Sequence, residues 1–216
     1  MERNTVRVFV LVLACALVAC GPSEAENAAA KAAATADSLA TAAAMERNYV
    51  VEPANSTIQW SGTMVSVYTH TGTVAITEGT FTTKGGQLIG GSFVADLRTM
   101  IPTDENYSST VNTKESLVEH LSGAEFFDVP NYPTALLTIT GGQGNTATAD
   151  LTIRGKTHSE IITDIGITTD ADGSLSATGK LVFDRQKYGV AWKPDMKDSV
   201  LDDDIELIVK LVARPK

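Results

Sequence analysis

The chain has 216 residues, which leaves room for one ordinary domain of about 150 residues and an additional segment. Its 17 basic and 26 acidic residues give a net charge of −9, which argues against an electrostatic grip on nucleic acid. The hydrophobic fraction of 43% excludes a chain that is disordered throughout. Both cysteines, Cys15 and Cys20, lie near the start, so the rest of the chain has no disulfide framework, thiol nucleophile or cysteine-based zinc site.

Residues 1–19 have the layout of a secretory signal peptide. Arg3 and Arg7 precede an uncharged apolar run over residues 8–19. At about 1.5 Å per residue the run covers about 18 Å, less than the roughly 30 Å of a bilayer core. Its end, Leu-Val-Ala followed by Cys20, resembles the lipobox of bacterial lipoproteins. The resemblance implies cleavage before Cys20 and acylation of that residue, which would anchor the protein in a membrane. The alternative is an ordinary signal peptide in which Cys20 has no role.

Residues 20–47 change abruptly to alanine with scattered polar residues, a low-complexity composition that does not build a core. Alanine favours a helix, but only Leu39 and Met45 supply larger apolar side chains, so there is no heptad seam. We interpret this segment as a tether between the lipidated Cys20 and the folded domain. The alternative is a coiled-coil or partner-binding helix.

Residues 48–216 consist of short stretches rich in Thr, Val and Ile that are separated by Gly, Asp and Asn, which is typical of an all-β domain. Most stretches alternate between apolar and polar residues with the period of a strand. The alternation predicts eight strands, centred on residues 58–64, 74–82, 92–98, 135–139, 149–153, 161–167, 175–183 and 205–213. Within the sixth strand, Ile161, Thr163, Ile165 and Ile167 are predicted to share one face.

One segment departs from the strand pattern. Between Thr113 and Leu121, apolar residues recur at helical spacing, and Thr113 and Ser116 are candidate caps. We therefore predict one short helix, followed at once by an aromatic connection, which would plug one end of a barrel. Eight antiparallel strands close into a barrel whose interior is filled by side chains or holds one small ligand.

The apolar faces of the predicted strands and the aromatic connection supply the candidate ligand-binding residues. They are Ile58, Trp60, Met64, Ile76, Phe93, Leu97, Phe126, Phe127, Leu137, Ile153, Leu181 and Phe183. The same residues also describe a packed core, and for each residue taken singly the core is the favoured interpretation, because every barrel needs apolar side chains inside.

Five segments in order resemble the YceI-like family of bacterial lipid-binding proteins. They read NSTIQWSGTM, THTGTVAITEGTF, LVEHLSGAEFFDVPNYPTALLTI, ADLTIRGKTHSEI and GKLVFDRQKYGV, and the resemblance spans residues 48–216. It implies a lipocalin-like antiparallel barrel whose apolar cavity holds a polyisoprenoid or a similar amphiphile, with no catalysis required. The family is commonly periplasmic and soluble, and this chain departs from it by its lipobox. It also has Leu117 and Val118 where many members have Arg and Asp.

Three polar residues are candidates for contact with a ligand head group. Arg154 and Arg185 could meet a phosphorylated head group at the barrel mouth, since guanidinium matches phosphate geometry, although an ion pair with Asp128 or Asp184 would explain them too. His120 lies in the family motif and either contacts the ligand or holds the helix in place. The histidines have no metal-ligand spacing, and no hydrolase or nucleotide-binding motif occurs, so we predict no cofactor, metal or catalytic residue.

The leading hypothesis is a non-catalytic carrier or store of an isoprenoid-type lipid. We expect it to be anchored through acylated Cys20 in the bacterial cell envelope, at the outer membrane and facing the periplasm. The alternatives are a packed barrel that acts as a protein-interaction module, and an enzyme acting on a lipid, for which the sequence shows no cluster of titratable groups. Apolar residues on both faces of the last strand leave a homodimer open.

Overall fold

The structure is a computed structural model that describes residues 23–107, 110, 112–193 and 200–216. The chain divides into two units near Thr41. The described part of the first unit belongs to one helix, α1 (Glu24–Ala44). The helix begins with a capping box, because the Ser23 hydroxyl accepts a hydrogen bond from the backbone N–H of Glu26 and the Glu26 carboxylate accepts one from that of Ser23. Cys20 and the predicted signal peptide lie outside the described residues.

In the part of the second unit that the structure describes, the chain forms nine strands and a short helix. The strands are β1 (Glu46–Val51), β2 (Thr57–Met64), β3 (Tyr68–Lys84), β4 (Gln87–Pro102), β5 (Thr134–Gln143), β6 (Thr146–Ile153), β7 (Lys156–Thr169), β8 (Leu175–Asp184) and β9 (Leu201–Pro215). The eight predicted strands correspond to β2 through β9. Two short 3₁₀ turns cover Pro53–Asn55 and Arg185–Tyr188.

The sheet closes on itself. From β3 the order of paired strands is β3, β2, β9, β8, β7, β6, β5 and β4, and β4 pairs with β3 again. All of these pairings are antiparallel. The predicted eight-stranded antiparallel barrel is therefore confirmed.

The ninth strand, β1, and strand β2 both lie between β3 and β9, at different points along the barrel wall. In β1, Tyr49 lies opposite Phe81 of β3 and Val51 lies opposite Ala213 of β9. Farther along the wall β2 pairs with the same two neighbours, and the turn at Pro53–Asn55 separates the two strands. The alternation did not reveal β1, because only two of its six residues are buried. It begins at Glu46, before the expected start of the domain.

The helix α2 (Lys114–Ser122) follows β4, where the sequence predicts a helix. Thr113 is its N-cap and forms a reciprocal capping box with Ser116, as the two polar residues suggested. Leu121 is buried and Leu117 packs against the same apolar cluster. We call the end of the barrel that carries α2 and the β2–β3 turn the α2 end. The opposite end, which carries β1 and the β3–β4 turn, is the β1 end.

One prediction about strand faces is wrong. In β7, Ile161 is 62% exposed and Ile162 is buried, whereas Ile165 and Ile167 line the interior. The pairing with β8 shifts between Thr163 and Gly166, and Asp164 lies in this bulge with a φ of 54°. A bulge inserts an extra residue and so exchanges the two faces of a strand. Ile161 and Ile165 therefore point to opposite sides of the wall.

The helices in the described part of the chain include none that is both long and apolar enough to cross a membrane.

Candidate binding cavity

The barrel encloses a cavity of about 490 Å³. This volume falls within the range of about 300 to 1,000 Å³ that is usual for small-molecule sites. Apolar side chains from all eight strands β2 to β9 and from α2 form its wall. The interior of the barrel is therefore not completely filled by its own side chains.

All twelve residues predicted as ligand-binding lie in the cavity wall. These residues are Ile58, Trp60, Met64, Ile76, Phe93, Leu97, Phe126, Phe127, Leu137, Ile153, Leu181 and Phe183. The alternation of the strands and the aromatic run after α2 were the signals that identified them. Their contact with a ligand stays a prediction.

Several wall residues were not in the predicted set. Strand β9 contributes Ile205 and Leu207, whose alternation along the strand was a usable signal. Leu117 and Leu121 enter the wall from α2, and their helical spacing suggested core packing only. Trp192 lies in the irregular segment after β8 and reaches the wall without any periodic signal.

A glycine leaves room for a large ring on the inner face of β2 and β3. Trp60 lies opposite Gly72, and a Cβ atom at Gly72 would overlap the Trp60 indole. His70 lies opposite Gly62, which also lines the cavity. Because Trp60 and His70 are diagonal neighbours on one face of an antiparallel pair, their side chains share the same part of the wall.

Polar side chains are concentrated in the wall at the α2 end. Tyr68 and His70 come from the start of β3, and Asn112 and Ser116 come from the segment that leads into α2. Asn112 is exposed, so the cavity reaches the surface of the barrel beside it.

His70 is the centre of a hydrogen-bonded cluster that sequence spacing did not reveal. Its Nδ1 lies 3.1 Å from Oδ1 of Asp104, which follows the end of β4. Asp104 also accepts hydrogen bonds from the backbone N–H of Thr71 at 2.9 Å and from the Tyr107 hydroxyl at 2.8 Å. The His70 ring stacks on Tyr107 and lies against Tyr68, with centroids 5.1 and 4.6 Å away.

The pKa values of the cluster follow from these contacts. Partial burial opposes ionisation of Asp104, but hydrogen bonds from Thr71, Asn106, Tyr107 and His70 outweigh it and hold the pKa of Asp104 well below its usual range. Burial and the adjacent Asp104 carboxylate raise the pKa of the Tyr107 hydroxyl. Asp104 is therefore a carboxylate, and Tyr107 a neutral donor, throughout the physiological pH range.

Two nitrogens in the wall are buried without a hydrogen-bond partner among the described residues, Trp60 Nε1 and His120 Nε2. The His120 ring packs edge-on against Phe126 and Trp192, with centroids 5.0 and 4.7 Å away. His120 thus joins α2 to the aromatic connection and to the segment after β8, and it also lines the cavity.

Arg154 does not line the cavity. It lies in the β6–β7 turn with a φ of 50°, and its guanidinium donates to the backbone carbonyls of Ala124, Phe126 and Gly189 at 3.0, 2.8 and 2.6 Å. These bonds tie the aromatic connection to the segment after β8. These contacts give Arg154 a structural role, and its contact with a ligand head group stays a prediction.

Arg185 is also outside the cavity wall and is only 2% exposed. Its guanidinium donates to the carbonyls of Val190 and Trp192 at 2.7 and 3.0 Å and forms an ion pair of 2.9 Å with Asp203. Asp184, the ion-pair partner considered from the sequence, instead caps the following 3₁₀ turn through the backbone N–H of Gln186. Arg185 holds the segment that carries Trp192, so the head-group role predicted for it has no support in its geometry.

No group of three or more His, Cys, Asp or Glu side chains in the described part of the chain is arranged to hold a metal ion. The cavity has an apolar wall with one polar end, which suits a molecule with a long hydrocarbon part and a small polar group.

The sequence profile of the YceI-like domain family matches residues 49–213 of this chain. Two solved structures are similar in fold. BcnA of Burkholderia cenocepacia has a TM-score of 0.53 at 18% identity, over 75% of this chain and 98% of that one. A polyisoprenoid binding domain of Saccharophagus degradans, implicated in plant cell wall breakdown, has a TM-score of 0.55 at 10% identity, over 78% of this chain and 98% of that one. No curated protein matches the sequence at a significant level.

Proposed function

This chain belongs to the YceI-like family, and we propose that it binds an isoprenoid-type or similar long amphiphilic lipid inside its barrel and carries or stores it. The observation that supports the proposal most directly is the cavity of about 490 Å³ with apolar residues from all eight strands β2 to β9. The similar Saccharophagus degradans domain is described as polyisoprenoid-binding, which agrees with a hydrocarbon ligand here.

The energetics of hydrocarbon burial suit this role. Each CH₂ group that leaves water contributes about 0.8 kcal/mol, so a chain of several isoprene units gains on the order of 10 kcal/mol before the cost of its immobilisation. A wall that is mostly apolar preserves that gain. The alternative of a completely packed interaction module is not supported, because the interior is not filled by side chains.

We propose a non-catalytic role. Binding a hydrocarbon chain needs only the apolar wall, and the hydroxyl of Ser116, which lines the cavity, is engaged in the capping box of α2. The His70–Asp104 pair has no activated nucleophile beside it among the described contacts. An activity on the lipid would be indicated by a chemically altered ligand after incubation.

We also propose that acylation of Cys20 anchors the mature protein in the cell envelope, at the outer membrane and facing the periplasm. The Leu-Val-Ala-Cys sequence at residues 17–20 supports acylation, and α1 (Glu24–Ala44) supports a tether between the anchor and the barrel. Intact mass and detergent partitioning of the protein from its native membranes test this part, and a soluble, unmodified mature form would contradict it.

The lipid is tested with the chain that begins at residue 20 and carries Cys20→Ser, which removes the acylation site. Native mass spectrometry after expression in a bacterial host, followed by organic extraction, should reveal a hydrophobic adduct at a stoichiometry of one. A protein that is empty and also refuses added isoprenoids would contradict lipid binding and favour an interaction module.

A further inference from the structure

The α2 end of the cavity presents one ring nitrogen whose hydrogen-bonding sense is fixed by its surroundings. Asp104 accepts hydrogen bonds from Thr71, Asn106 and Tyr107, so it is a carboxylate that only accepts. The contact of 3.1 Å with His70 Nδ1 is then a hydrogen bond only if Nδ1 carries the proton. Neutral His70 therefore has a lone pair on Nε2, which can accept a hydrogen bond.

That lone pair is available at the cavity. His70 lines the cavity and its side chain is 12% exposed. Its Nδ1 is the ring atom that bonds to Asp104, and Nε2 has no hydrogen-bond partner among the described residues. The ring is held between Tyr68 and Tyr107, so Nε2 is an acceptor of fixed position at the polar end of an apolar cavity.

The charges around His70 disfavour an anionic partner. Asp104 touches the ring, and Glu105 follows it in the chain. Lys114, the nearby cation, pairs with Glu105 at 3.4 Å and lies over the Tyr107 ring. Two carboxylates and one paired ammonium group would repel a phosphate, whereas an uncharged hydroxyl meets no such penalty.

We propose that His70 Nε2, oriented by Asp104, is a head-group site that accepts a hydrogen bond from an uncharged lipid bearing a hydroxyl group, such as a prenyl alcohol. This inference rests on the proposed function and adds the chemical class of the head group. The ligand lies with its hydroxyl at the α2 end and its hydrocarbon chain directed toward the β1 end.

Three probes with one hydrocarbon chain test the proposal: geranylgeraniol, its methyl ether and its monophosphate. The alcohol can donate a hydrogen bond and the ether cannot. Near pH 8, the chain with Cys20→Ser should bind the alcohol about threefold to tenfold more tightly than the ether, as measured by quenching of tryptophan fluorescence. The phosphate should bind at least about tenfold more weakly than the alcohol.

Two variants separate a head-group role from a structural one. His70→Phe keeps a ring between the tyrosines but removes Nε2, so the ratio of alcohol to ether affinity should fall to about one. Asp104→Asn offers an N–H donor to Nδ1 and shifts the ring proton to Nε2, so this variant should bind the ether more tightly than the unmodified chain does. His158→Phe is the matched control, because His158 lies outside the cavity wall, and it should keep the preference for the alcohol.

The experiments distinguish failure of the head-group proposal from failure of the lipid-binding proposal. Binding of alcohol and ether with equal affinity, or a preference that survives in His70→Phe, overturns the head-group site and leaves lipid binding intact. Failure of all three probes to bind overturns both proposals. Nitrogen NMR of the His70 ring gives an independent reading, and a proton on Nε2 in the unmodified chain also overturns the head-group site.

Discussion

At the β1 end the cavity is bounded by packed apolar rings, whereas at the α2 end polar side chains form part of its wall. Near the β1 end Phe81 stacks on Tyr49 and Phe93, with centroids 5.2 and 6.2 Å away. At the α2 end His70 is held by Asp104 through a hydrogen bond. One barrel thus has an apolar end and a polar end, which agrees with the ligand orientation proposed above.

The polar residues of the α2 end differ among themselves. Arg154 and Arg185 direct their donors to backbone carbonyls and hold the segments around the rim. His70 directs one nitrogen to Asp104, and its ring lines the cavity. Neither charge nor position in the sequence distinguishes a structural role from contact with a ligand. The roles are distinguished by how many of the hydrogen-bond donors of each side chain already have an acceptor in the protein.

The largest expected effect comes from the apolar end. Phe81→Ala removes a ring that is 3% exposed, and we expect a loss of about 3 to 5 kcal/mol in the free energy of unfolding. Urea denaturation measures it. Val182→Ala, at an exposed position of β8, is the control and should change the free energy by less than about 0.5 kcal/mol. If Phe81→Ala folds and also loses the preference for alcohol over ether, the two ends are not independent.

Arg185→Met should destabilise the barrel by about 3 kcal/mol, because it leaves the carbonyls of Val190 and Trp192 without this donor and removes the ion pair with Asp203. Lys84→Met is the control, since Lys84 and Glu46 form a surface pair whose side chains are both about half exposed, and such a pair contributes less than about 1 kcal/mol. Thermal denaturation compares the two variants. A stable Arg185→Met protein with an altered preference among the lipid probes would restore the head-group role for this arginine.

Filling the cavity between the two ends should weaken lipid binding by about tenfold or more. Ala95 lines the cavity in the middle of β4, and Ala95→Trp places an indole in the space that a hydrocarbon chain would occupy. Ser92→Trp, at an exposed position of the same strand, is the control. Unchanged affinity for geranylgeraniol in Ala95→Trp would show that the lipid binds elsewhere.

The sequence predicted the residues of the cavity wall better than the contacts at the two ends of the barrel. Strand alternation identified eight strands and ten of the twelve predicted wall residues, because a period of two is a local property of the chain. The bulge at Asp164 exchanged the faces of β7, and a φ of 54° at an aspartate leaves no mark in the hydrophobic pattern. The position of a bulge of this kind is therefore found from the structure and not from the sequence.

The polar site was beyond prediction for a different reason. His70 and Asp104 are separated by 34 residues, and they meet because β3 and β4 are antiparallel and the register places Gly72 opposite Pro102. The bulges in this pair shift the register by several residues, so the alternation of two strands does not determine which residues meet beyond their ends. Arg154 and Arg185 were noticed for their charge, but their acceptors are backbone carbonyls, which a sequence does not display.

The smallest expected effect is a difference between the two ends in their response to pH. The pKa of Asp104 is lower in the folded barrel than its unfolded value of about 3.9. Its carboxylate therefore contributes stability that is present above about pH 4 and is lost as the pH falls toward the folded pKa. At pH 7 we expect Asp104→Asn to be about 1 kcal/mol less stable than the unmodified chain.

This difference should narrow in urea denaturation as the pH is lowered below about 4, because the unfolded chain then binds a proton at Asp104 and the unmodified protein loses the stability that its folded carboxylate contributes. Phe81→Ala is the matched comparison, since its loss arises from apolar packing and should be the same at both pH values. If the deficit of Asp104→Asn is also independent of pH, the carboxylate charge does not hold the α2 end together, and the fixed orientation of His70 loses its physical basis. If the loss of stability becomes smaller at low pH for Asp104→Asn but not for Phe81→Ala, the polar wall of the α2 end depends on one ionised group.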